Sequence, residues 1–124
     1  MDKKMMIRIS NVLHDLGIPT GLKGYRCLMN AIGLGLEDPK ALEQITKGLY
    51  PKVAKIMDTT PARVERAIRH AIEVSWDRGD IQVLYEYFGN SVSGLKGKPT
   101  NGECIATLVE WIQLERDLKP YARS

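Results

Sequence analysis

Between Arg63 and Glu73 the stretch RVERAIRHAIE holds three arginines, a histidine and two glutamates. Arginine can donate two parallel hydrogen bonds to guanine O6 and N7, and a carboxylate can accept from cytosine N4. An Arg/Glu/Arg set at the start of a helix therefore fits direct reading of G·C pairs in a major groove. Arg63, Glu65 and Arg66 are the candidates for that chemistry. The glutamate is the discriminating member, because a surface that only grips phosphate would be repelled by it, whereas base reading gives it a partner. A plainer reading stands beside this one. Glu65 and Arg69 are at i, i+4 spacing and could pair on a solvated helix for about 0.2–0.5 kcal/mol, with no nucleic acid involved.

Other chemistries find no support in the residues. His14, His70, Cys27 and Cys104 include no pair at metal-ligand spacing, and no His-Glu-x-x-His, Cys-x-x-Cys or Gly-x-Ser-x-Gly occurs. Gly89 and Gly94 have the first spacing of a phosphate loop, but Leu95 stands where its lysine belongs. The expectation is a protein without metal, cofactor or catalytic residues. The two cysteines lie far apart on apolar helical patterns, as reduced buried thiols do. Trp76 and Trp111, with apolar neighbours, fit a core better than base-stacking platforms.

The charge of the chain is concentrated where the candidate residues are. Net charge is only +3, yet Gln44–Gly79 carries seven basic and four acidic residues while the rest of the chain sums to zero. A local excess of this kind attracts phosphate backbones, and an excess this modest fits a solvated face equally well.

The elements that must position these residues read as helices nearly throughout. At 124 residues, 44% hydrophobic and 27% charged, the chain fits one globular domain spanning 1–124. It lacks a membrane-length apolar run and a secretory start, so it is expected to be cytoplasmic. Ile9, Val12, Leu13 and Leu16 mark a first helix ended by Gly17, and Leu22–Leu36 a second containing three glycines. Ala41, Leu42, Ile45 and Leu49 predict a short third, and Val53–Met57 another beginning near Pro51. The longest runs from Pro61 to Arg78, with Thr60 as N-cap and Gly79 at its end. Asp80 caps a helix through Phe88. GNSVSGLKGKPT is loop, and a Thr100/Glu103 capping box starts the last helix.

Together these predict an all-α fold of about six helices in one domain, with a helix-turn-helix over about 50–78. Residues 53–68, VAKIMDTTPARVERAI, meet that motif position by position. Ala54 supplies the small residue where two helices cross. Asp58 stands where the turn needs a left-handed backbone, which Asp tolerates better than most residues. Thr60 caps the second helix. At 100° per residue Val64, Ala67, Ile68, Ala71 and Ser75 share the packed side, opposite Arg63, Glu65, Arg66, Arg69, His70 and Glu73.

The run ITKGLYPKVAKIMDTTPARVERAIRHAIEVSWDRG, with YFGN and KGKPTNGE downstream, resembles the C-terminal effector domain of stage-zero sporulation protein A, a response regulator of spore-forming bacteria. The likeness covers nearly the whole chain and is loose over the first eight and last ten residues. It implies a six-helix domain that binds double-stranded DNA at a TGTCGAA-type box, often in tandem, and activates or represses RNA polymerase. By position, Arg63, Glu65 and Arg66 look like base readers, Arg69 and His70 like backbone-contacting or supporting residues beside Thr60, and Lys96 and Lys98 like phosphate contacts. The likeness also implies a contact with the polymerase sigma subunit that falls on Phe88 and Val92, residues that equally fit a core. Val83–Tyr87 departs from the pattern in being more aromatic.

The family's receiver, an α/β domain, has no counterpart in an all-α chain. The expectation is thus an isolated output domain, competent without phosphorylation and only weakly dimeric. The last helix carries Trp111 and Leu114 off the stripe of Ile105, Leu108, Val109 and Ile112, which predicts a second face for a weak homodimer formed on DNA. The alternative is a helical protein-interaction module of helix-turn-helix shape, its surface made by Tyr85, Phe88 and the last helix.

Overall fold

A computed structural model describes residues 2–89 and 97–122, the last five as backbone only. Its first helix, α1 (Lys3–Asp15), begins ahead of the apolar run at Ile9, because the Asp2 carboxylate accepts the Met5 amide at 2.8 Å. Gly17, at φ 77°, turns the chain into α2 (Lys23–Glu37). The glycines inside α2 do not shorten it, since two of them mark close approaches. A Cβ on Gly24 would stand 2.2 Å from the Ala67 carbonyl oxygen, and one on Gly35 would meet Leu42 and Val109 at about 3 Å.

The helix expected over Ala41–Leu49 does not form as one element. Asp38 accepts the Lys40 amide at 3.2 Å and starts a 3-10 turn, Pro39–Glu43, and Gln44 then leaves helical conformation at φ −133°. The amides of Gly48 and Leu49 both reach the Gln44 carbonyl, at 2.8 and 3.1 Å. That sharing widens Ile45–Leu49 into a π turn, which runs directly into α3 (Tyr50–Met57).

The remaining helices start where their caps dictate. They are α4 (Pro61–Arg78), α5 (Ile81–Phe88) and α6 (Asn101–Ala122). Asp80 accepts the Gln82 amide at 2.8 Å. Thr100 and Glu103 cap reciprocally, at 3.0 and 3.2 Å. Gly79 ends α4 at φ −72°, so it is needed for space rather than handedness: a Cβ there would crowd the carbonyls of Ser75 and Leu16.

Six α-helices and no strand are present among the described residues, and their apolar faces form one core. The helix α2 packs against α1, α3, α4 and α6. Ile9, Leu13, Leu28, Ile32, Val53, Val64, Ile68, Ile105, Leu108 and Ile112 are almost wholly removed from solvent, each worth about 1.5–3 kcal/mol. Ser75 is the buried polar exception, and its Oγ donates to the Leu16 carbonyl at 2.6 Å, satisfying a carbonyl at the end of α1. Both cysteines are buried free thiols. No described helix is long and apolar enough to cross a membrane.

Candidate nucleic-acid interface

The two helices expected to make the helix-turn-helix are α3 and α4, which pack together across a short turn. Ala54 is 3% exposed at the crossing, so its small size lets the helices approach. Asp58 takes the left-handed conformation, φ 54° and ψ 53°, the one non-glycine residue of positive φ among those described. The Thr59 amide closes back on the Ala54 carbonyl at 2.9 Å, and Thr60 Oγ1 accepts the Arg63 amide at 3.3 Å. This fixes the first turn of α4. From α2, Lys23 Nζ donates to Thr59 Oγ1 at 3.1 Å, tying the turn to the central helix.

One side of α4 is committed to the core through Val64, Ile68, Ala71, Ile72 and Ser75, with Ala67 half-buried beside Gly24. Arg63, Arg66, Arg69 and His70 are exposed on the other side, and Glu65 is half-buried. Arg69 Nη1 lies 3.2 Å from Glu65 Oε1, so the i, i+4 pair of the plainer reading is present. Such an exposed pair is weak enough to open at little cost when a competing partner arrives.

The segment that leads into α6 lies along α4. Lys98 Nζ stands 4.0 Å from Glu73 Oε1, and Asn101 Nδ2 donates both to the Glu65 carbonyl at 2.9 Å and to Tyr50 Oη at 3.1 Å. Between segment and helix is an open cleft of about 530 Å3 bordered by Tyr50, Glu65, Arg69, Lys98 and Asn101. Burial pushes the Tyr50 hydroxyl above its ordinary pKa, while the Asn101 amide pulls it back. Asn101, Tyr50 and Lys23 escaped the sequence reading, because the bonds they make span 36 or 51 residues and no local pattern announces them.

The other expected site residues fall elsewhere. Phe88 is only 8% exposed, its ring edge-on to Trp76 with centroids 5.0 Å apart, which is the placement of a core residue. Val92 and Lys96 lie outside the described residues. Trp111 is half-buried against Tyr87, with centroids 4.6 Å apart, while Leu114 is 51% exposed. Tyr87 in turn donates to Asp15 at 2.9 Å, joining α5 and α6 to α1. No cluster of three or more potential metal ligands occurs among the described residues.

A two-helix motif with a left-handed turn, a capped second helix and an exposed arginine face is what major-groove binding requires. A family model described as sporulation initiation factor Spo0A C terminal matches residues 9–112. Most of the chain lies within that match, including every helix of the motif. The chain therefore belongs to the family of Spo0A C-terminal domains, the DNA-binding output domains of sporulation response regulators, which are transcription factors and not enzymes.

Proposed function

We propose that this domain binds a TGTCGAA-type operator box by inserting α4 into the major groove, with Arg63, Glu65 and Arg66 reading base edges. The observation that carries the reading is the first two turns of α4: a helix start fixed by Asp58 and Thr60 presents two exposed arginines around an acid. Glu65 exchanges Arg69 for a cytosine amino group on binding, which frees Arg69 for the backbone. Thr60, His70 and Lys98, with Lys96 beyond the described residues, support or contact the phosphates. Bound at a promoter, the domain activates or represses transcription, through a sigma-subunit contact where it activates. On tandem boxes two copies meet weakly through α6, where Leu114 offers exposed apolar surface. Its place of action is the cytoplasm.

A mobility-shift titration on the operator and a scrambled duplex, at two salt concentrations, tests this. Specific binding that falls steeply with salt is the expected result, because several phosphates are neutralised. Equal affinity for both duplexes ends the base-reading proposal, and affinity indifferent to salt favours a protein-interaction module.

A further inference from the structure

We propose that Asn101 is a positioning residue for DNA recognition, holding the base-reading end of α4 in register with α6 by donating both amide hydrogens across three elements. The proposal rests on the reading of α4 as the base-reading helix. Asn101 is the first residue of α6, and the Thr100/Glu103 capping box places it there. One N–H meets the carbonyl of Glu65 at 2.9 Å, and the other meets the Tyr50 hydroxyl at 3.1 Å. The orientation of the amide is dictated by its partners, since the reverse would set its oxygen against the Glu65 carbonyl oxygen.

The acceptor is a main-chain atom in the middle of the Arg63–Arg66 segment, so the bond constrains the backbone that carries all three reading side chains. Side-chain packing by Val64 and Ile68 holds α4 against the core through non-directional contacts, to which the Asn101 hydrogen bond adds a directional one. Lys98 and Glu73 supply a looser second tie two turns further along, roughly 12 Å away. Tyr50 is 5% exposed and opens α3, so the same amide also sets α3 against α4. Base reading needs hydrogen-bonding atoms placed to within a fraction of an ångström, so a small displacement of α4 removes discrimination before it removes phosphate grip.

The test compares Asn101→Ala and Asn101→Asp with Ile9→Val, a trim of the core within α1. Asn101→Asp keeps the shape and an acceptor for the Tyr50 hydroxyl but has no N–H for the Glu65 carbonyl. Each protein is titrated on operator and scrambled duplexes well below its melting temperature, and amide hydrogen exchange is followed in the absence of DNA. Both Asn101 variants should lose about tenfold in the operator-to-scrambled ratio, with scrambled affinity little changed for Asn101→Ala and lowered for Asn101→Asp, whose added carboxylate repels phosphate on either duplex. Amides of residues 65–69 should exchange about fivefold faster. Ile9→Val should lower the melting temperature and leave both readouts alone. An unchanged ratio with unchanged exchange in the Asn101 variants overturns the proposal, as does an equal loss in Ile9→Val. If the unaltered protein prefers neither duplex, it is the base-reading assignment that fails, and unchanged exchange at 65–69 would then overturn the positioning link by itself.

Discussion

Removing the Arg66 guanidinium should cost affinity only where a guanine is being read. Arg66→Ala is expected to lose about 1–3 kcal/mol on the operator and to flatten discrimination at one position. Lys98 sits beside Glu73 and outside the reading face, so Lys98→Ala should weaken operator and scrambled duplexes alike and lower the salt slope by about one. Mobility shifts on both duplexes separate the two outcomes. The turn residue makes a different demand. Asp58 holds φ 54°, so Asp58→Gly should be neutral or mildly stabilising in a thermal melt, whereas Asp58→Val should cost about 1–2 kcal/mol. Buried Cys104 has its thiol pushed up to about 12 from an ordinary 9.0. The folded state thus holds that proton more tightly than the unfolded chain does. Its contribution is intact below pH 9.0 and is lost as pH rises towards 12, so Cys104→Ala should show a shallower alkaline loss in denaturant titrations across that range.

At the scale of elements, the crossing of α2 and α4 depends on Gly24, whose missing Cβ leaves room for the Ala67 carbonyl and the Ala71 methyl. Gly24→Ala gains helix propensity within α2, yet it must force the helices apart. The clash is with main chain, which cannot rotate away, so the net effect should be a loss of about 1–3 kcal/mol by chemical denaturation. The same displacement would move the reading face. The outer surface of α6 has its own prediction. Trp111 is already partly covered by Tyr87, which leaves Leu114 as the exposed apolar residue of the proposed dimer face. Binding to a duplex with two boxes about one helical turn apart should be cooperative, and Leu114→Glu should abolish that cooperativity while sparing one-box affinity. Cooperativity that survives the substitution places the dimer contact elsewhere.

For the whole molecule, the division between what was legible in the sequence and what was not follows the range of the interactions. The sequence by itself determined the all-α class, the ends of α4 and α5, the start of α6 and the left-handed Asp58 between α3 and α4, because caps, apolar period and backbone preference act over a few residues and leave local marks, whereas α6, expected to end near Leu118, runs on to Ala122. It determined the family too, since RVERAIRHAIE and KPTN are contiguous. Only the tertiary structure decided that the helix expected over Ala41–Leu49 breaks at Gln44 into a 3-10 and a π turn, where a non-helical backbone and one shared carbonyl override an unbroken apolar period. It decided that Gly24 and Gly35 of α2 are points of close contact, that Gly79 answers to space and not to handedness, and that Phe88 belongs to the core beside Trp76. It also joined Asn101 to Glu65 and Tyr50. A side chain's periodicity tells which way it faces along its own helix, but what it meets there is set by elements dozens of residues away, and that information exists only once the helices have packed.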